Sequence, residues 1–571
     1  MRLALAQFNP TVGAIGSNAT RIGELIDRAR DSGADLVVLP ELSVCGYPPK
    51  DLLLQEGFVE ACQRAVEDLA RDHARSIMAV VGCPARRVGM PHGGIGNAAM
   101  VLGDGRVVAR YDKRLLPTYD VFDEDRYFEP GGAPVVVEVA GVRVGLSICE
   151  DLWRGEDVGF ASRYMDDPDP VAELISMGAE LILSPSASPF VLGKGARHRE
   201  LLARHARRHG VWVASVNQVG GNDELIFDGH ACAMDPSGEL VAAGAGFEEG
   251  ITLVDVVPGE HGSAVKDPRI MASGCELVTR ALTLGVRDYC RKTGFSSVIV
   301  ALSGGIDSSV TAALAVSALG SGSVVGIAMP SGYSSDHSVA DALELAERLG
   351  IRCVTVPIAE PVKAVSGSID PALELLGERA LGERLPDVAE ENLQSRLRGL
   401  IVMAVSNRTG ALVLTTGNKS ELAVGYCTLY GDMNGGLAVL SDVTKRQVYD
   451  VARWMNEHHR EIGLAGPPIP ERVIDKPPSA ELAPGQLDSD TLPDYSTLDE
   501  IVTRYIERHE SPTRIIRETG FDADVVTRIV RMIDVNEYKR KQLATGLKVS
   551  GVAFGFGRRF PIARGWDESR G

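Results

Sequence analysis

The sequence predicts an α/β protein of two domains, a first half built on mixed sheets and a second half built on a doubly wound parallel sheet. Three observations point there. The chain has 571 residues, more than one hydrophobic core usually serves. Its hydrophobic content of 44% is enough for well-packed interiors. Runs of strand length alternate with helical stretches on both sides of PGEHGSAVKDPRIMASGC, residues 258–275, whose Pro, Gly and small residues mark a linker.

In the first half, strands are expected at 3–8, 36–42, 77–82, 98–103, 142–149, 181–187 and 211–217. Between the first two, Ile22, Leu25, Ile26 and Ala29 share one helical face, with Ser17 or Asn18 to cap the start and Gly33 to end it. Asp104-Gly105, Ala140-Gly141 and Ser237-Gly238 read as hairpin turns, which makes the sheets mixed. After the linker the order is strand 298–302, helix 308–319, strand 323–329, helix 336–349, strand 353–358, helix 392–408 and strand 412–417. Such alternation gives a parallel sheet with helices on both faces. The stretch 466–497 is too rich in Pro and polar residues for a core element, so a functional loop is expected there.

Composition narrows the function classes. A net charge of −18 argues against a nucleic-acid binder. No apolar run approaches a membrane span, and MRLALAQFNPTVG lacks the apolar core of a secretory signal. The nine cysteines are scattered, with no CxxC pair, which suits reduced thiols in a cytoplasmic protein. None of the eleven His residues has the spacing of a metal site or a triad.

The sharpest motif is VIVALSGGIDSSV, residues 298–310. A β-branched run enters a diglycine turn and then an apolar helix. Gly304 and Gly305 let the backbone approach an anion, the helix start offers free N–H groups, and Ser303, Ser308 and Ser309 add hydroxyls. A P-loop would place Lys directly before the Ser, whereas Ile306 and Asp307 stand here. Asp307 makes sense beside phosphate only with Mg²⁺ bridging the two. A plain glycine turn with capping Ser and Asp would look similar in isolation, but the strand before it and the helix after it favour the anion site.

The segment resembles the pyrophosphatase-type ATP site, or PP-loop, of NAD, GMP and asparagine synthetases. That resemblance implies cleavage of ATP between the α and β phosphates, so the turn would cradle a leaving pyrophosphate. Further downstream EENLQSRLRG (390–399), VLTTGNKSELAVGYCTLYGDMNGG (413–436), KPPSAELAPGQLDSDTLPDY (476–495) and NEYKRKQLATGLKV (536–549) are similar to the substrate segments of NAD synthetases. The resemblance implies that Ser303 to Ser309, with Thr416 and Lys445, bind ATP. It implies that Asn392, Glu421 and Lys539 bind deamido-NAD, that Asp307 and Glu421 hold Mg²⁺, and that the loop 476–495 closes over the reaction. Taken singly, Glu421, Lys445 and the KRK run at 539–541 would read as surface charges, and Asn392 as a helix cap.

The first half carries a second constellation. Glu41 in LPELSVCGYPP, Lys113 in RYDKRLLPTYDVF and Cys149 in GLSICEDLW all fall at or just after expected strand ends. A thiol nucleophile needs a base for its proton and a cation for the anion that forms. The pattern resembles the nitrilase superfamily as fused to glutamine-dependent NAD synthetases, over about residues 1–260. The resemblance implies an α-β-β-α sandwich in which Cys149 attacks glutamine, Glu41 is the base, Lys113 stabilises the oxyanion and Glu124 is a second glutamate. Tyr119, Ser188 and Lys194 would grip glutamine. The other eight cysteines read as small buried hydrophobes. The insertion DDPDP at 166–170 lengthens the segment after Cys149.

Together the halves imply a glutaminase at 1–260, a linker at 261–275 and a PP-loop synthetase at 276–571. Ammonia would pass internally from one to the other, and the chain would form a homo-oligomer, at least a dimer. Three other assignments compete with this one. GMP synthetase carries a different glutaminase triad. Asparagine synthetase needs Cys at position 2, where Arg2 stands. A scaffold with a decayed site is disfavoured by the intact set Glu41, Lys113, Cys149, Asp307 and Glu421.

Overall fold

Leu3 and Leu5 point one way from the first strand, and Ala4 and Ala6 the other; that alternation builds the first half of the molecule. In the computed structural model, residues 1–87, 94–154, 161–266, 272–381 and 387–566 are described. They fall into two units, Met1–Gly274 and Cys275–Gly571. The expected linker lies partly at 267–271, outside the described residues, and the helix Gly274–Thr293 follows it.

The first unit holds two six-stranded sheets. One runs in the order Gly250–Asp255, Arg2–Gln7, Leu36–Val38, Met78–Arg86, Ile95–Gly103, Arg106–Asp112. The other runs Leu240–Ala243, Cys232–Met234, Trp212–Asn217, Leu181–Ser186, Val142–Leu146, Val136–Val139. Leu3, Leu5, Leu36 and Val38 meet Val144, Leu146, Leu181 and Leu183 between the sheets. Ala4, Val37 and Val81 face the helices Ile15–Asp31 and Phe58–His73 outside one sheet; Ile182 and Val213 face Lys194–His209 outside the other. This is an α-β-β-α sandwich. The three expected hairpins form, with Asp104 and Ala140 at φ of 52° and 45° ahead of their glycines.

Local expectations need three corrections. The first helix starts at Ile15, so neither Ser17 nor Asn18 caps it. The Asn18 carboxamide instead braces the preceding loop, accepting from Thr11 N at 3.0 Å and donating to Val44 O at 3.0 Å. The strand expected at 36–42 stops at Val38, and a turn carries Glu41 and Leu42, the latter at φ 48°. The strand expected at 142–149 ends at Leu146, although Ser147 N and Cys149 N still donate to Leu183 O and Pro185 O.

The second unit has a six-stranded sheet, all parallel, in the order Arg352–Thr355, Val324–Ala328, Val298–Ala301, Leu412–Thr415, Leu437–Ala438, Thr545–Gly546. The chain leaves Val298–Ala301 to one side and later returns on its other side. This creates a switch point at the carboxyl ends of Val298–Ala301 and Leu412–Thr415, where α/β sheets bind ligands. Ile299, Ile327 and Val413 pack on Val402 of the helix Val388–Thr409. The helix Ala359–Leu375, which contains Pro371 and has no buried residue, was not expected from the sequence. Neither was the helical cluster of Leu498, Ile501, Val526 and Ile529.

Candidate active sites

In the first unit, the catalytic candidates gather beyond strand ends. Glu41 follows Leu36–Val38, Lys113 follows Arg106–Asp112, and Cys149 lies three residues beyond Leu146. Cys149 has φ 45° and ψ −96° and caps the short helix Glu150–Trp153. A non-glycine residue is held there only when its surroundings enforce it. The enforcement is visible: Asp151 accepts from Ile148 N at 2.9 Å and from Leu115 N at 2.9 Å, Arg114 N at 3.1 Å and Tyr111 OH at 2.8 Å.

Lys113 has no exposed side-chain surface and sits between two carboxylates, 2.8 Å from Glu41 Oε1 and 2.7 Å from Glu124 Oε1. Asn97 Nδ2 donates to Glu41 Oε1 at 2.7 Å and to Glu124 Oε2 at 3.3 Å. Ala187 N donates to Glu41 Oε2 at 2.9 Å, and Tyr47 OH to Glu124 Oε1 at 2.9 Å. Burial opposes the charge on Lys113, but the two carboxylates outweigh it and raise its pKa. Burial pushes Glu124 up to about 7, with Lys113 opposing and Glu41 adding repulsion. Burial likewise pushes the Cys149 thiol well above its ordinary value; Glu41 adds to the rise and Lys113 counters it. Burial thus favours the thiol form of Cys149, and the arrangement sets a carboxylate and an ammonium in the same buried cluster. Such a set is chemically able to take a proton from a thiol and to offset an oxyanion.

The glutamine-binding candidates stand nearby. Tyr119 OH donates to Glu150 Oε2 at 2.7 Å, Ser188 N donates to Asn217 Oδ1 at 2.8 Å, and Lys194 Nζ lies 5.4 Å from the centre of the Trp153 ring. Within the inserted DDPDP, Asp169 caps the helix Pro170–Ser176. Sequence reading missed Asn97 and Tyr47, and saw Asp151 only as part of the motif after Cys149, not as its brace.

In the second unit a cavity of about 280 Å³ opens at the switch point. Ser303, Gly305, Ile306, Asp307, Ser308, Thr416, Glu421 and Lys445 line it. Gly304 has φ 77°, and a Cβ there would lie 2.2 Å from Ser338 O, so only glycine fits. The helix starts at Ile306, two residues earlier than expected, which places Asp307 in its first turn. Ser309 turns its hydroxyl back to Gly305 O at 2.9 Å.

Lys445 Nζ bridges Asp307 Oδ2 at 2.6 Å and Glu421 Oε1 at 2.9 Å. Burial opposes its charge, and the two carboxylates overcome this and raise its pKa. Burial lifts Glu421 to about 7, with Lys445 opposing and Asp307 adding. Among the described residues no cluster of three or more His, Cys, Asp or Glu forms a metal site. Two carboxylate oxygens converging on one cation do suit Mg²⁺, which completes its shell with phosphate and water oxygens.

Asn392 and Lys539 do not line this cavity. The Asn392 carbonyl accepts from Thr428 Oγ1 at 2.7 Å, and Lys539 Nζ donates to Gly425 O at 2.7 Å and Cys427 O at 2.8 Å. Arg398, from the same EENLQSRLRG segment, does line it; Arg398 Nε donates to Met329 O at 3.0 Å, and burial brings its pKa down to about 10.

Comparison with known proteins matches both halves. The family model for carbon-nitrogen hydrolase covers residues 2–264, and that for NAD synthase residues 278–543. The chain is 46% identical over 570 residues to the glutamine-dependent NAD(+) synthetase of Synechocystis sp., with 98% of each chain covered. It is 45% identical over 573 residues to that of Xylella fastidiosa (strain 9a5c), with 99% of each covered. The solved glutamine-dependent NAD+ synthetase of Acinetobacter baumannii, in complex with ADP, is 37% identical with a TM-score of 0.74 over 99% of both chains. The one from Cytophaga hutchinsonii, 22% identical, shares the fold with a TM-score of 0.82 over 99% of this chain and 98% of that one.

A carbon-nitrogen hydrolase of nitrilase type joined to a parallel-sheet synthetase defines a ligase that uses glutamine as its nitrogen donor. Within that class, identity running the full length of both halves is decisive. The chain belongs to the glutamine-dependent NAD(+) synthetases.

Proposed function

We propose that the first unit releases ammonia from L-glutamine and the second spends ATP to place that nitrogen on deamido-NAD, giving NAD. The observation that carries this reading is the Cys149 segment, braced through Asp151 to the segment that follows Lys113, on the same polypeptide as a cavity built around the diglycine turn. Cys149 Sγ attacks the amide carbon as Glu41 takes the thiol proton. Lys113 offsets the oxyanion charge, and ammonia leaves with the proton that Glu41 returns. Water then cleaves the thioester to glutamate. Tyr119, Ser188 and Lys194 hold the glutamine, and Glu124 fixes Lys113.

At the second site the deamido-NAD carboxylate attacks the α-phosphorus of ATP and pyrophosphate leaves. Ammonia then displaces AMP from the acyl-adenylate. Ser303 to Ser309, Thr416 and Lys445 receive the nucleotide, and Asn392, Glu421 and Lys539 serve deamido-NAD. Asp307 and Glu421 would hold Mg²⁺, which neutralises phosphate charge when bound. The loop 476–495 excludes water from the adenylate.

The reading further includes domain limits at 1–260 and 276–571, ammonia passed on inside the protein, a cytoplasmic location and a homo-oligomer of at least two copies. Exposed Leu375, Leu376 and Val388 support self-association. None of the nine cysteines forms a disulfide, which suits a reducing compartment. No helix among the described residues is long and apolar enough to cross a membrane.

The decisive experiment compares NAD formation with glutamine and with ammonium, in the wild type and in Cys149→Ala. Loss with glutamine alone supports the division of labour; loss with both nitrogen donors in a folded variant refutes it. Light scattering reads the oligomer. Suppression of glutamine-driven synthesis by an external ammonia scavenger would exclude internal passage.

A further inference from the structure

The segment from Lys476 to Leu482 lines the nucleotide cavity together with Ser303, Asp307 and Lys445. It is pinned from the side by Gln394 Nε2, which donates to Leu482 O at 2.9 Å. The Glu481 carboxylate ties it to the helix start nearby. That carboxylate accepts from Ser338 Oγ at 2.6 Å, Ser335 Oγ at 3.1 Å, Ser335 N at 3.3 Å and Lys476 Nζ at 2.8 Å. Ser335 caps the helix Asp336–Leu349, so the carboxylate rests against a helix start.

That seat adjoins the phosphate turn, because Gly304 packs directly on the backbone of Ser338. It offers an ammonium, two hydroxyls and a backbone N–H, the donor set a phosphate takes. Here the protein fills it with its own anion. Glu481 does so at φ 50°, in left-handed backbone that a glutamate adopts only at a cost.

We propose that Glu481 is a placeholder for a nucleotide phosphate. On ATP entry a phosphate oxygen takes over Ser335, Ser338 and Lys476. Glu481 then swings out, and Lys476 passes from the carboxylate to the departing pyrophosphate. The segment closes over the cavity only once the exchange is made, so an empty site does not hold the catalytic arrangement. The proposal rests on the assignment of this cavity to ATP.

The test is calorimetric titration of the full-length protein with Mg²⁺-ATP and, separately, with inorganic pyrophosphate. Wild type, Glu481→Gln and Glu481→Asp are compared. Aspartate keeps the charge but is a methylene short of the seat. If the seat must be vacated, both variants bind both ligands on the order of five-fold tighter than wild type. If Glu481→Asp matches wild type and only Glu481→Gln binds more tightly, the effect is unspecific charge and the exchange is overturned. Weaker binding by either variant makes Glu481 a fixed latch and also overturns it. Absence of ATP binding by the wild type would sink the nucleotide assignment itself, and is distinguishable because pyrophosphate and ATP would then fail together in all three proteins.

Discussion

Two lysines in this chain make the same pair of bonds. Lys113 lies between Glu41 and Glu124, and Lys445 between Asp307 and Glu421, each within 3 Å of both partners. In both, burial lifts one carboxylate to about 7. Their surroundings differ. At Lys113 the carboxylates are 1% and 4% exposed and Asn97 ties them together; at Lys445 they are 18% and 17% exposed and face a cavity. The closed version holds its charges in a dry, fixed array. The open version leaves its charges within reach of whatever enters the cavity. One motif thus serves two chemistries, and solvent access separates them.

The largest effect expected is from Cys149→Ala, which should lower glutamine-driven synthesis at least about 10⁴-fold and leave ammonium-driven synthesis within about two-fold of wild type. Next, the same substitution at the two lysines tests the comparison directly. Lys113→Met should abolish only the glutamine-driven reaction, whereas Lys445→Met should lower the rate with either donor about 10²-fold. Thermal melts should show Lys113→Met as the less stable of the two. Lys113→Met strands two sealed carboxylates, costing about 3–5 kcal/mol, while those beside Lys445 can take up water. Equal losses would mean that access does not distinguish the sites.

A smaller effect is expected at the phosphate turn. Gly304→Ala forces a Cβ against Ser338 O and into left-handed backbone. It should raise the KM for ATP about ten-fold with glutamine hydrolysis unaffected, measured as glutamate release. The smallest concerns pH. Glu124 has its folded pKa raised above the ordinary 4.5, to about 7. A carboxyl raised in this way contributes stability that is present below 4.5 and lost as pH climbs through about 7. Glu124→Gln cannot ionise, so urea melts should shift in its favour across that window and flatten above it.

Much of this was legible in the sequence, for identifiable reasons. The diglycine turn announces itself because strand, glycines and helix are contiguous. Cys149 stood out because Glu150, Asp151 and Trp153 follow it in a fixed order. Asn97 was invisible: it sits in the middle of a strand, and its role is a bond across to carboxylates on two other segments. Arg398 was passed over for Asn392 in the same motif, since nothing local tells which side chain faces the cavity. The helix Ala359–Leu375 was missed because Gly367, Pro371 and its serines read as breakers and no face of it is buried. The strand ends were overestimated at Val38 and Leu146 because apolar sequence continues into the turns that carry Glu41 and Cys149.

Asp151 joins the backbone just after Lys113 to the backbone just before Cys149, through Arg114 N and Leu115 N on one oxygen and Ile148 N on the other. A single carboxylate thus anchors the chain on both sides: the segment leaving Lys113 and the one entering Cys149 share one brace, so loosening Asp151 would free both together.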